Sequence, residues 1–262
     1  MKKTSAMLKQ LARKSLNGRY SIPMCVTVIT LLIGVVTSFI IFAFTGGYTA
    51  FIASATGNYS SHTFSIGSYL LTLLTSLIVS LITSIVSAGV TKMYISFCRK
   101  DAYGIGDIGY GFTHHPDRII IVNLLMFLCT VLAEVPMIIG MIWWIANPYN
   151  GAALATFIIG FLISMVLTVI VSLYFFLAVY LLMDHTDMKA IEAIQTSSRL
   201  MKGNKGRCFY LQLSFIGWNI LAAFTFGIGY LWLIPYTNVT YTFFYLDVIG
   251  ELDITPAADQ PL

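Results

Sequence analysis

Long apolar runs alternate along this chain with short segments that carry its charge. The runs cover 22–45, 67–97, 119–146, 152–183, 208–224 and 230–249. A helix needs about 20 apolar residues to cross the hydrocarbon of a bilayer, and longer stretches tilt. The pattern therefore predicts an all-α, multi-pass transmembrane bundle of six spans. Only Thr225-Phe-Gly-Ile-Gly229 separates the last two runs, and its paired glycines can open a helix and turn the chain back. One helix through both runs would be too long for a single crossing. The chain then reads as three hairpins in one integral membrane domain, 1–262, closing with a cytoplasmic tail at 250–262.

Between the runs the periodicity changes. Residues 1–20 predict an amphipathic helix, with Leu8, Leu11, Ala12 and Leu16 on one side, Lys9, Arg13 and Lys14 elsewhere, and Asn17-Gly18 as the stop. A second such helix follows Asp187, with Ile191, Ile194 and Met201 at helical spacing and Gly203 as terminator. Helices of this kind lie in the membrane interface plane. The segment from Asp101 to Asp117, with Gly104, Gly106, Gly109 and Gly111, reads as loop.

Charge fixes the orientation. All 15 Lys and Arg fall in three blocks, Lys2–Arg19, Lys92–Arg118 and Lys189–Arg207. The connections 46–66, 147–151 and 225–229 carry no charged residue. Basic segments stay cytoplasmic, so both termini are expected inside the cell membrane, with Trp143, Trp144 and Trp232 in an outer aromatic belt. At 58% hydrophobic and 10% charged, the composition excludes an ordinary water-soluble domain, which carries about 25% charge. The first run is too long for the apolar part of a secretion signal and is read as a retained span. Cys25, Cys98, Cys129 and Cys208 stand at unrelated spacings and suggest neither a disulfide framework nor a metal site.

Among groups that could carry chemistry, Glu134 is the only charge deep inside an apolar run, Lys92 and Asp247 lying towards the ends of theirs. With Pro136 two residues on, it would suit a proton- or cation-responsive site or a broken-helix binding point. It would equally suit a protonated carboxyl hydrogen-bonded to a neighbouring helix. Small or hydroxyl residues recur every fourth position at Thr72, Ser76, Ser80, Ser84 and Ala88, and again at Gly160, Ser164, Thr168 and Ser172. That spacing favours close helix packing, with a polar path as the alternative. Asp184-His185-Thr186-Asp187 reads as a helix exit and cap. Lys9, Arg13, Lys14, Lys202, Lys205 and Arg207 are candidate contacts for anionic lipid head groups. Nucleic acid is not an expected partner, because no aromatic platform or recognised module accompanies the basic run. No catalytic or cofactor motif is present.

The blocks Glu192-Ala-Ile-Gln-Thr-Ser-Ser-Arg-Leu-Met-Lys-Gly-Asn-Lys205, Leu213-Ser-Phe-Ile-Gly-Trp218 and Gly227-Ile-Gly-Tyr-Leu-Trp-Leu-Ile-Pro-Tyr236 carry a resemblance. So do Tyr245 and the Leu11-Ala-Arg-Lys-Ser-Leu-Asn-Gly18 segment. With these the chain resembles the bacterial integral membrane proteins of domain-of-unknown-function family 975. The resemblance implies a multi-pass plasma-membrane protein with no established activity, and no catalytic residue comes with it. Physically, Gly227, Gly229, Pro235 and Tyr236 could shape a cavity on the last hairpin, with Pro235 interrupting its second helix. They could also simply specify a tight hairpin. The expected function is a non-enzymatic membrane factor without cofactor or metal, acting through lipids, a membrane-protein partner or a second copy of itself. The alternative is a small transporter or channel using Glu134.

Overall fold

The structure is a computed structural model that describes residues 2–56 and 66–254. His62 and the tail beyond residue 254 lie outside the described residues. Within them every regular element is helical. Two long hairpins form the frame: α2 (Ser21–Thr56) with α3 (Ile66–Arg99), and α5 (Pro116–Ala146) with α6 (Gly151–Phe175). The remaining helices are shorter and gather at one end. They are α1 (Ser5–Leu16), α4 (Tyr110–Thr113), α7 (Ala178–Asp184), α8 (Ala190–Met201), α9 (Lys205–Leu213), α10 (Ile216–Phe224), α11 (Tyr230–Val248) and α12 (Glu251–Ile254).

Among the described residues, four segments are long and apolar enough to cross a membrane: Ser21–Phe44, Tyr69–Arg99, Pro116–Ala146 and Gly151–Asp184. Only 6% to 17% of their most apolar windows is buried inside the protein. Val35, Phe39, Phe42, Leu132 and Ile139 all point outward, as residues facing lipid tails would.

The two hairpins hold together differently. α5 and α6 touch backbone to backbone, since a Cβ at Gly160 would stand 2.4 Å from the Pro136 carbonyl oxygen. Pro136 has no amide to give to the helix ladder, and the next amide, Met137 N–H, donates across the interface to Ser164 Oγ at 3.1 Å. The small-residue spacing on α6 is thus a packing device at Gly160 and Ser164. Between α3 and α5, Asn123 donates its side-chain amide to Ser80 Oγ at 3.2 Å.

The fully buried side chains concentrate at the other end. Leu8, Leu16, Tyr94, Phe97, Leu177, Leu181, Phe215, Phe244 and Tyr245 form one cluster there. All three basic blocks converge on this base. Arg99 binds Asp184 and Glu251, Arg118 donates to the Met188 carbonyl at 3.0 Å, and Arg207 pairs with Asp247 at 2.5 Å. The Lys3 amide donates to the same Asp247 carboxylate at 3.0 Å.

Several elements differ from the sequence expectation, each for a local reason. The run 152–183 breaks after Phe175, where Ser197 of α8 wedges in: its hydroxyl donates to the Tyr174 carbonyl at 2.8 Å and accepts from Leu177 N–H at 3.2 Å. The run 208–224 is split into α9 and α10, nine residues each, about 14 Å apiece. α11 is continuous through Pro235, which is buried within it and does not interrupt it. Asp101–Asp117 is not plain loop: a 3-10 turn at Ile105–Gly109 and α4 fold back onto α3. A Cβ at Gly89 of α3 would lie 2.2 Å from the Ile108 carbonyl oxygen, so a side chain there would force this segment away.

α11 lies across the end of α3. Tyr94 and Cys98, about 6 Å apart along α3, meet Asn238 and Val239, which are neighbours on α11. α1 runs antiparallel along α11, from Asp247 beside Lys3 to Tyr236 beside Arg13. The apolar side of α1 is therefore buried against protein at Leu8, Ala12 and Leu16, not against lipid.

Candidate functional site

Local sequence sets the walls of a groove between α1, α10 and α11. α1 starts at Thr4, whose hydroxyl accepts from Met7 N–H at 3.4 Å, and stops at Asn17 before Gly18, which turns at φ +74°. That turn delivers Tyr20 beside α11. Burying Leu8, Ala12 and Leu16 leaves Arg13 on the exposed side of α1. Lys9 holds the base of the neighbouring hairpin: its Nζ donates to the Ser214 carbonyl at 3.0 Å and stands 4.2 Å from the centre of the Phe215 ring. The ammonium satisfies a carbonyl left open where α9 ends, and partial burial lowers its pKa from the ordinary lysine value.

The α10–α11 turn is built by Thr225 and the glycines. Thr225 Oγ1 donates to the Ala222 carbonyl at 2.7 Å and accepts from Gly229 N–H at 2.8 Å. Gly227 sits at φ +88°, where a side chain is disfavoured. A Cβ at Gly229 would lie 2.9 Å from Ala222 Cα, so the arms are in contact there. Tyr230 adds a bond from its hydroxyl to the Asn219 carbonyl at 3.2 Å.

The open groove holds about 450 Å³ and is lined by Arg13, Tyr20, Trp218, Leu221, Ala222, Thr225, Gly229, Trp232, Leu233 and Tyr236. Arg13 and two phenols gather at one end. Arg13 is within hydrogen-bonding reach of Tyr236 and its charge acts on Tyr20. Burial raises the Tyr20 phenol above its usual pKa, with Arg13 opposing, so it stays a neutral donor. The other end is aromatic and aliphatic, and Trp218, Leu221 and Trp232 are all more than half exposed along it. A single cation with phenol donors at the mouth of an apolar trough suits a molecule with an anionic head and a hydrocarbon tail.

The structure brings together three of the sequence candidates, Arg13, Gly229 and Tyr236, and adds Tyr20, Trp218 and Leu221. Trp218 stood in the Phe-Ile-Gly-Trp block; Tyr20 had no sequence signal, because only the turn at Gly18 brings it to α11. Gly227 shapes the hairpin tip, and Pro235 is buried within α11. Glu134 and Pro136 are remote on α5, where Glu134 is half-buried in reach of Tyr69. Of the basic candidates, Lys14 and Lys202 are exposed. Lys205 stands 3.2 Å from the centre of the Tyr174 ring, and Arg207 is committed to Asp247. No group of three or more metal-ligating side chains occurs among the described residues.

Neither the curated proteins nor the solved structures give a match to this chain. The family model for proteins of unknown function DUF975 matches residues 1–251, a stretch that includes every wall of the groove, and the chain belongs to that family.

Proposed function

We propose that this is a non-enzymatic protein of the bacterial cell membrane that binds an anionic lipid in the groove between α1, α10 and α11. The observation that carries the reading is Arg13, with Tyr20 and Tyr236, at one end of a trough lined mainly by Trp218, Leu221, Ala222, Trp232 and Leu233, where the Thr225 hydroxyl is already engaged within its own turn. Anionic heads are drawn to such cytoplasmic basic groups, and an apolar trough beside four membrane-crossing helices receives the acyl chains. Lys14 and Lys202, exposed at the same basic end, add attraction without a defined pocket. Glu134 lines neither this groove nor the cavity described below, so the transport reading draws no support from them.

The basic end faces the cytoplasm, by the excess of Lys and Arg there. Four helices cross the bilayer, both termini are inside, and α9–α11 lies along the inner interface in place of a fifth and sixth span. This placement rests on the broken α9–α10 pair and on α11 crossing the end of α3.

The test uses the groove's own tryptophans. In a Trp143→Phe/Trp144→Phe background, brominated phosphatidylglycerol should quench Trp218 and Trp232 more strongly than brominated phosphatidylcholine. Arg13→Gln should abolish the difference. Equal quenching by both lipids in the parent protein would overturn the proposal.

A further inference from the structure

A second cavity, about 340 Å³, opens between the base-proximal parts of α2 and α3, within the ~300–1,000 Å³ range of small-molecule sites. It shares no residue with the groove. Its walls carry no charged side chain, yet seven of its eleven lining residues bear a hydroxyl or an amide. Thr30, Thr83, Thr91, Tyr94, Tyr180 and Asn238 supply most of them, from four different helices.

The protons of the threonines are already engaged. Thr30 donates to the Thr27 carbonyl at 2.9 Å, Thr83 to the Val79 carbonyl at 2.8 Å and Thr91 to the Ser87 carbonyl at 2.9 Å. Each can therefore offer the cavity only acceptor lone pairs. Tyr94 lines the same space, is 2% exposed, and its hydroxyl makes no hydrogen bond of good geometry among the described residues. Thr27 and Asn238 lie beside it, but the Thr27 hydroxyl is directed at the Pro23 carbonyl, 2.9 Å away. A buried hydroxyl without a partner is costly, and its persistence beside a row of acceptors marks a place for a ligand.

The chemistry of that ligand follows from the walls. An anion would meet no counter-charge, and a cation would exchange its hydration shell for neutral oxygens alone. A group that brings several O–H donors and no charge complements both the acceptor row and the Tyr94 hydroxyl. Gly34 and Ser87, both exposed, leave the cavity open on the side of the α2–α3 hairpin. We propose that this cavity binds an uncharged polyol, either free or as the head group of a neutral glycolipid.

The experiment uses the full-length protein in nanodiscs. Monoglucosyl diacylglycerol and, as reference, chain-matched phosphatidylcholine are titrated by native mass spectrometry, and free glycerol by saturation-transfer NMR. Tyr94→Phe keeps the ring and removes only the hydroxyl; Thr83→Val removes one acceptor at constant shape. The expected result is glycolipid or glycerol binding above the reference, weakened about fivefold by either substitution, the value of roughly one net hydrogen bond. Glycolipid without glycerol assigns the head group of a lipid, and glycerol binding assigns the free polyol. Arg13→Gln should leave this binding unchanged, which separates it from the groove. Tyr94→Phe should unfold no earlier than the parent, because it deletes an unpaired group; should it fail to fold, Thr83→Val carries the test alone. Binding of neither probe above the reference, or binding indifferent to the folded variants, overturns the proposal and leaves water as the occupant.

Discussion

The Tyr245 hydroxyl, from the end of α11, donates to Asp184 Oδ2 at 2.6 Å. The same carboxylate receives the Arg99 guanidinium, which also grips Glu251 at 2.6 Å through Nη2 and at 2.8 Å through Nε. One clasp thus ties the ends of α3, α7, α11 and α12. Asp184 has a side chain only 7% exposed, and a buried carboxylate depends on its donors. Tyr245→Phe should destabilise the protein by about 2 kcal/mol, the range for hydrogen bonds to charged groups. Arg99→Met should cost more, since it leaves Asp184 without a cation. Thermal unfolding in detergent measures both, and a Tyr245→Phe midpoint equal to the parent's would sink the clasp.

Asp247 anchors the N-terminus to the same base. Its side chain is 1% exposed and accepts from Arg207 and from the Lys3 backbone amide. Removing one partner of a buried pair typically costs ~3–5 kcal/mol, because the other is left uncompensated. Asp247→Ala should therefore both lower stability by about 3 kcal/mol and release α1. Limited proteolysis near Gly18 would report the release. Protection equal to the parent's would show that the apolar side of α1 alone holds it in place.

The α5–α6 interface predicts a sharp contrast between two glycines. A Cβ at Gly160 would meet the Pro136 carbonyl at 2.4 Å, whereas one at Gly34 meets nothing within 4 Å. Gly160→Ala should destabilise the hairpin by at least about 1–3 kcal/mol, the usual cost of overpacking. Gly34→Ala should be neutral or slightly stabilising through helix propensity. Ser164→Ala, which removes the bond from the Met137 amide across the interface, should be less than additive with Gly160→Ala, since both loosen one contact. Strict additivity would mean that the two sites do not share an interface.

Much of this architecture is legible in the chain because hydrocarbon enforces long apolar helices. The first four runs, the α1 amphipathicity and the clustering of basic residues all follow from hydropathy and charge alone. The α10–α11 hairpin was legible in the paired glycines. What hydropathy could not reveal is which side chains substitute for lipid. Ser197 satisfies a carbonyl where α6 gives way to α7, and Lys9 one where α9 gives way to α10, and neither residue is unusual where it stands. Likewise, protein surrounds much of α11: Val239, Phe243, Phe244 and Tyr245 are buried. Apolar surroundings of either kind write the same sequence. The groove needed the fold too, since its walls come from residues over 200 positions apart, from Arg13 to Tyr236.

That ambiguity makes the hairpin tip the decisive position. Phe226 is fully exposed and Phe224 is 81% exposed at a turn without charge, so the tip is expected at a membrane–water interface on whichever side it reaches. If α9–α11 lies along the inner interface, the tip stays near the cytoplasm; if α10 and α11 cross, it emerges outside. A single cysteine at Gly227, in a protein whose Cys25, Cys98, Cys129 and Cys208 are replaced by Ala or Ser, distinguishes the two. Gly227→Cys carries some strain at φ +88°, so Ile228→Cys, 60% exposed on the same turn, serves as its partner. A membrane-impermeant maleimide should label both in inside-out vesicles and neither in intact cells, with Cys at Tyr149, fully exposed on the α5–α6 turn, showing the opposite pattern. Labelling of the tip from outside intact cells would restore the fifth and sixth spans and place the Arg13 groove at the mouth of a transmembrane hairpin.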